Sequence, residues 1–388
     1  MDFRLILLAL GAFAGTMESS VVPGVLPAIG TTMGVSIAQA GYLVVVYSIA
    51  YAVAAPIVSS LFGAADRRKT LAAAELVFGL SALVIAISPA FPFMVAARGV
   101  LACGAVLFTS MAQATAYAIS PPERRGRSVA VVMTGATLAV AVGAPIGAFI
   151  GVQFGWRVSY GLVAALAVSA GIIMWFRLPP GLVGERRTLS ERLAVLRNRG
   201  VPAVLLISLL FGTGAFAPNV YVAVISIEAM HMDKATIPLV LLALGLGAVI
   251  GGLTAGQLID RLGAYRTFLL FAVTTTAMLL AIPLLPLLPA PLITLFWLVA
   301  LVVFGVVAWA LYGALINILA SLAPEGVTLV ISLNLTAGSL GGAFAAYLGG
   351  IAIEQFGAAS IGLLGAVFTL SALGLAIANR EILLGLKR

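Results

Sequence analysis

Apolar residues in this chain come in blocks about twenty positions long, separated by short clusters of charge, proline and polar side chains. Breaking the chain at those clusters leaves twelve apolar runs, at roughly 4–26, 37–62, 70–88, 92–119, 128–151, 158–178, 203–228, 237–259, 267–287, 290–322, 327–352 and 358–379. Each is near the roughly 20 residues a helix needs to cross the hydrocarbon of a bilayer. Lipid offers no water to backbone groups, so a spanning segment is a helix or part of a closed barrel. Runs this long without period-two alternation exclude the barrel. The pattern predicts an all-α membrane protein with twelve transmembrane helices.

Composition strengthens this reading. Of 388 residues, 62% are hydrophobic and 9% charged, and the mean hydropathy is +1.19, whereas soluble domains carry about 25% charged residues. The net charge of +8 raises the question of nucleic acid, but its distribution answers it. Of the 21 Lys and Arg, three (Arg98, Arg157, Lys234) fall in a span or in one set of alternate loops, leaving 18 for the other loops and the termini. This is the positive-inside asymmetry, which predicts both termini in the cytoplasm and a lipid bilayer, not nucleic acid, as the partner. Cys103 stands alone in an apolar run, so neither a disulfide framework nor a thiol metal site is expected. The first run lacks a cleavage signal and is expected to remain as a span.

One long charged linker, Pro179 to Pro202, divides the spans into two sets of six. The expected domains are an N-terminal bundle over 1–178, a cytoplasmic linker over 179–202 and a C-terminal bundle over 203–388. Within the linker, Thr188 and Glu191 have capping-box spacing for a short interfacial helix. The two sets look like copies. Asp66-Arg67 after the second span recurs as Asp260-Arg261 after the eighth, an offset of 194, half the chain length. Gly143, Gly147, Ala148 and Phe149 of the fifth span recur as Gly338, Gly342, Ala343 and Phe344 of the eleventh, at an offset of 195. A parallel duplication of six-helix halves predicts a midplane substrate site exposed to each side in turn.

At this point the residues resemble a known family, the major facilitator superfamily, and within it the drug and sugar proton antiporters of the arabinose efflux permease type. Gly256 to Arg266 is similar to that superfamily's loop motif, and a degraded copy follows the second span, with Phe62 in place of a glycine. Gly143-Ala144-Pro145-Ile146-Gly147 resembles the antiporter motif of the fifth span. Arg98 to Gly104 resembles the arginine motif of the fourth, with Pro122 to Arg127 as its following loop. Gly15-Thr16-Met17-Glu18 through Gly24-Val25-Leu26-Pro27 resembles the first span of the efflux permeases. The resemblance implies a major facilitator fold and transport, with the first, fourth, seventh and tenth spans lining the cavity. It also implies that Asp66, Arg67, Asp260 and Arg261 close the cytoplasmic face through ion pairs or helix-end contacts. Gly143, Pro145 and Gly147 then form a bend that prevents leak, with ordinary helix packing as the alternative.

Three charged residues lie well inside the spans, Glu18, Glu75 and Arg98, all in the first half. A carboxylate at bilayer depth costs roughly 2.5 to 3.5 kcal/mol on insertion scales and needs a partner, a proton or a water-filled cavity. At 1.5 Å per residue, Glu18 sits roughly 12 Å short of the outer end of its span, at nearly the depth of Arg98 in the fourth. A pair between them is geometrically possible, and Glu18 is expected to exchange a proton, with Arg98 alternatively a structural clamp. Glu75 lies nearer the inner end of the third span. An ion pair with Arg67, Arg68, Arg124 or Arg125 is expected there, against a second proton site.

Candidates to contact substrate are Tyr47, Tyr51, Gln113 and Tyr117 in the first half and Asn219, Tyr221, Trp309, Tyr312 and Asn334 in the second. Interhelical packing or an interfacial aromatic belt is the alternative for each. His231 sits in a loop and is expected to be solvated. There is no metal-ligand cluster, no paired His and nucleophile and no P-loop, which argues against an enzyme, and no cofactor is expected. The sequence reads as a monomeric secondary transporter of the bacterial inner membrane, a proton-driven exporter of small organic solutes such as drugs, sugars or nucleosides. Same-fold alternatives are an uncoupled facilitator or an importer.

Overall fold

The computed structural model describes residues 2–62, 64–183, 200–323 and 327–384, without the side chains of 59, 60, 309, 327 and 328. Twelve helices among them are long and apolar enough to cross a membrane. In chain order they are α1 (Phe3–Met33), α2 (Ile37–Leu61), α3 (Arg67–Ile87), α4 (Phe91–Ala118), α5 (Pro122–Phe154), α6 (Trp156–Arg177), α7 (Gly200–Val220), α8 (Ile237–Leu262), α9 (Ala264–Ala281), α10 (Ala290–Leu322), α11 (Val327–Phe356) and α12 (Ser360–Ala378). The proposed interfacial helix around Thr188 and Glu191 lies outside the described residues.

Local chemistry sets the ends and breaks. α1 begins at Asp2, whose carboxylate accepts the Arg4 N–H at 3.0 Å, and stops at Gly34, whose φ of 64° satisfies Gly30 O from the left-handed region. α3 is capped by Asp66. The fifth span is one span but not one α-helix. It widens to a π-turn over Ala139–Gly143 just before Pro145, where the missing N–H and the ring forbid the regular bond to the preceding turn. The seventh run, expected to be continuous to 228, is interrupted at Tyr221 and continues as a short α segment, Val222–Val224, and a π-turn over Ile225–Ala229. The ninth run ends in a 3₁₀ segment, Ile282–Leu287, which holds two prolines.

The chain divides into two compact units, one of Met1–Val35 with Val46–Leu189, the other of Ser36–Val45 with Ser190–Arg388. In the first unit α1 packs on α5 and α6, and α3 on α4 and α6. In the second, α7 packs on α11 and α12, and α9 on α10 and α12. The pairings repeat with every helix number advanced by six, the structural counterpart of the internal repeat. The opening residues of α2 group with the second unit, where the Ala38 N–H donates to Glu354 and the Tyr42 ring stacks on Tyr347.

Small residues set the helix spacing. A Cβ at Gly135 of α5 would collide with the Ala9 carbonyl of α1, and one at Gly214 of α7 with the Gly365 carbonyl of α12. Such close backbone approach is how helices associate where lipid removes the hydrophobic drive between them. Large apolar side chains also line the outside, among them Phe93, Leu253 and Leu287.

Candidate functional site

Among the described residues the buried charged side chains are Glu18, Glu75 and Arg98, all in the first unit. Glu18 of α1 is 1% exposed and Arg98 of α4 is 2% exposed, and the two form an ion pair from Arg98 Nη1 to Glu18 Oε1. Arg98 Nη1 also lies 3.3 Å from the Tyr160 hydroxyl on α6, and the guanidinium carbon sits 4.8 Å from the centroid of the Tyr47 ring on α2. Tyr160 is itself held edge-on by Trp156 one turn earlier, at a centroid separation of 6.1 Å. Four helices therefore converge on one guanidinium, each by a different chemistry: carboxylate, π-face, hydroxyl and the arginine's own stem.

Magnitudes show what this arrangement does. Removing two charges from water costs several kcal/mol per ion, which mutual attraction in the interior repays only with good geometry and further bonds. A ring face adds about 0.5–2 kcal/mol to a cation, more when dry. Glu18 has less support. Its Oε2 has no hydrogen-bond partner among the described residues. The acid is thus stabilised through a single arginine, while the arginine also meets the Tyr160 hydroxyl and the Tyr47 ring. Glu18 is the partner whose charge depends on the other staying in place.

The wall behind Glu18 is the fifth span. A Cβ at Gly143 would lie 3.0 Å from Phe13 and 3.2 Å from Met17, and one at Gly147 would strike Val21. The glycines of the motif thus seat α5 on α1 immediately on either side of Glu18, and Ser159 of α6 donates to Gly147 O at 2.7 Å. The π-turn over Ala139–Gly143 ends at the first of these glycines, two residues before Pro145. The contacts at Gly143 and Gly147 are those of close helix packing.

Asp66 and Arg67 make helix-end contacts. The Asp66 carboxylate accepts the Lys69 N–H at 3.1 Å and the Gly181 N–H at 2.8 Å, Arg67 N–H donates to Leu182 O at 2.8 Å, and Arg67 Nη1 to Ala114 O at 2.6 Å. These bonds join the start of α3 to α4 and to the chain after α6. The Gly181 and Lys69 amides hold the Asp66 carboxyl below its usual range. The second copy differs: Asp260 and Arg261 are exposed at the end of α8, and their side chains bond no other described residue. The sequence pattern is fuller in the second copy, and the contacts are in the first.

Two expectations need correction. Glu75 forms no ion pair with Arg67, Arg68, Arg124 or Arg125. It is 2% exposed, its Oε2 lacks a partner among the described residues, and it faces α1 and α6, whereas those arginines lie at helix ends. Tyr221 does not present its hydroxyl to a cavity. It is fully buried and donates to Ala346 O at 2.5 Å, with the ring against Gly349 and the hydroxyl against Gly41.

The remaining candidates separate. Tyr47 and Tyr51 lie one turn apart with ring centroids 5.9 Å apart and planes tilted by 32°, and Tyr47 is the one beside Arg98. Gln113 donates to Met133 at 3.1 Å, and Tyr117 lies under Arg125, 4.6 Å from its guanidinium, so both serve the α4 to α5 contact. Asn219 borders an apolar cavity of about 280 Å³ in the second unit with Pro218, Trp297 and Phe304. Asn334, fully buried, accepts from Ser208 at 2.6 Å, and its carbonyl accepts from Tyr312 at 3.2 Å. The side chain of Trp309 lies outside the described residues. His231 is exposed. Sequence reasoning missed Tyr160, whose only signal was a tyrosine one turn inside the sixth span.

Twelve apolar helices with a buried acid and base define a multi-pass membrane protein of transporter architecture. The model of the Major Facilitator Superfamily matches residues 8–346, and this chain belongs to that family. It is 31% identical to the inner membrane transport protein YdhP of Escherichia coli (strain K12) over 74% of this chain and 73% of that one. It is 29% identical to a chloramphenicol resistance protein of Streptomyces lividans, covering 74% of each. Among solved structures it resembles the nucleoside transporter NupG (D323A mutant), with TM-score 0.75 and 13% identity over 97% of this chain and 99% of that one. It also resembles a bacterial homologue of the human lysosomal transporter Spinster, with TM-score 0.72 and 14% identity over 99% and 97%. The chain is a membrane transport protein, not an enzyme.

Proposed function

We propose that this transporter is a proton-coupled exporter of small organic solutes of the drug, sugar or nucleoside type, working by alternating access. On this reading it is a monomer of the bacterial inner membrane with both termini in the cytoplasm. The observation that carries the reading is the buried Glu18–Arg98 pair. Because Glu18 has one charged partner, any step that draws Arg98 away leaves a carboxylate in an apolar interior, and taking up a proton relieves it. Releasing the proton as Arg98 returns completes a cycle in which proton and cargo alternate. The similarity to a chloramphenicol resistance protein supports outward transport of a drug-like solute and makes chloramphenicol the first compound to test.

The test is uptake into inside-out proteoliposomes with and without a pH gradient. Wild type is expected to accumulate solute only with the gradient, and Glu18→Gln to lose accumulation while retaining gradient-independent exchange. Gradient-driven accumulation by the Gln variant would exclude Glu18 as the coupling acid. Equal wild-type transport in both conditions would identify a facilitator.

A further inference from the structure

Glu75 is the buried charged residue that the Glu18–Arg98 pair leaves unexplained. Its surroundings are built for a side chain of its size. Three helices bring a glycine to the stretch of α3 around it. A Cβ at Gly11 of α1 would lie 2.6 Å from Glu75 Oε1, one at Gly171 of α6 would lie 3.1 Å from Glu75 Cβ, and one at Gly104 of α4 would lie 2.8 Å from Ala74 O. Toward the end of the unit where α1 and α3 begin, Leu8, Leu71, Met111 and Met174 form an apolar cluster.

None of the titratable groups on the packed elements bonds to Glu75: not Arg4 or Glu18 on α1, not Arg67, Arg68 or Lys69 on its own helix, not Arg98, Cys103 or Tyr117 on α4, and not Arg157, Tyr160 or Arg177 on α6. A carboxylate 2% exposed and without a counter-charge among the described residues carries a desolvation cost that a neutral carboxylic acid avoids.

Position relates it to Glu18. Gly11, which the Glu75 carboxyl touches, precedes Glu18 by seven residues, two turns on one face of α1 and about 10.5 Å along it. Between them on that face are Ala14 and Gly15, and a Cβ at Gly15 would meet nothing within 4 Å. The strip of α1 from Gly11 to Glu18 is thus open at Gly15, and the Phe108 ring covers its Gly11 end.

We propose that Glu75 is a second protonation site, holding a proton as a neutral acid while Glu18 is ionised against Arg98, and that the two exchange a proton along the Gly11–Gly15 strip. In that step one O–H bond at Glu75 breaks and one forms at a Glu18 oxygen through a chain of waters, each passing on one proton as it receives another. Glu75 becomes the carboxylate and Glu18 the neutral acid, and charge is conserved. The exchange rests on the coupling role given to Glu18 above; the protonated state of Glu75 does not.

The experiment is infrared difference spectroscopy of the full-length protein in lipid at neutral pH, following the carbonyl stretch of protonated carboxyls. The expected result is a band present in wild type and in Glu18→Gln, absent in Glu75→Gln and shifted in Gly11→Ala, which crowds the carboxyl without changing charge. A spectrum unchanged by Glu75→Gln overturns the assignment. If Glu75→Gln does not fold, Glu75→Asp serves, since a protonated Asp there moves the band and an ionised one leaves it unaffected, the latter again overturning the assignment. Gradient-driven accumulation retained by Glu18→Gln sinks the coupling reading, whatever the band does. A Glu75 band together with wild-type gradient-driven accumulation in Glu75→Gln overturns the exchange and leaves Glu18 in place.

Discussion

The Tyr160 hydroxyl on α6 meets Arg98 Nη1 of α4 at 3.3 Å, and the same nitrogen carries the ion pair to Glu18 of α1. One guanidinium nitrogen, which carries two N–H groups, thus serves a phenol and a carboxylate at once. Tyr160→Phe removes one of its partners and keeps the ring. Removing a hydrogen bond to a charged group costs about 1.5–3 kcal/mol, read as a lower melting temperature. With the guanidinium held less firmly beside Glu18, gradient-driven transport is expected to slow as well. A lower melting temperature with wild-type transport would reduce Tyr160 to packing.

Breaking the pair itself costs more. Arg98→Ala leaves a buried acid without its counter-charge, and losing one partner of a buried pair destabilises by about 3–5 kcal/mol. The double variant Glu18→Gln with Arg98→Gln leaves no charge behind and is expected to melt above Arg98→Ala. Thermal unfolding of the three proteins in detergent checks the order. Arg98→Lys keeps the charge but loses the planar fork, and is expected to fold and to transport poorly.

Glycine contacts predict opposite signs at two positions. Gly135→Ala drives a methyl into the Ala9 carbonyl, which cannot rotate away, and is expected to cost about 1–3 kcal/mol. Gly161 of α6 has open space where its Cβ would be, so Gly161→Ala is expected to stabilise by about 0.5–1 kcal/mol through helix propensity. Melting temperatures of the pair check both signs.

Asp66 links stability to pH. Its carboxyl is held below the ordinary value of 3.8 by the Gly181 and Lys69 amides, so the folded state binds its proton less readily than the unfolded chain. That stabilisation is complete above about 3.8 and disappears as pH falls through the lower folded value. Asp66→Ala removes the cap at a cost of about 1 kcal/mol near neutrality. The difference between wild type and variant should stay flat from neutral pH down to weak acid and shrink below it.

Tyr221 separates anchoring from binding. Tyr221→Phe loses the hydroxyl bond to Ala346 O at 2.5 Å, and about 1 kcal/mol of stability is expected to go with it. The apparent affinity for transported solute should not change. A change in affinity with unaltered stability would return Tyr221 to the substrate site.

The sequence by itself determined the twelve spans to within a few residues, apart from longer ends such as α1 running to Met33, because insertion depends on length and apolarity, and both are local. It also identified Glu18 and Arg98, since a charge inside an apolar run is conspicuous wherever it points. Tertiary structure decided which residues face each other. In a bilayer the packed side and the lipid side of a helix are both apolar, so periodicity does not mark the face, as exposed Phe93 and buried Met94 show side by side. Hence Tyr160 went unseen beside Arg98, and Glu75 was paired in expectation with arginines it never meets. Asp66 and Asp260 look alike along the chain; only through-space contacts with Gly181 and Lys69 distinguish the capped copy from the exposed one.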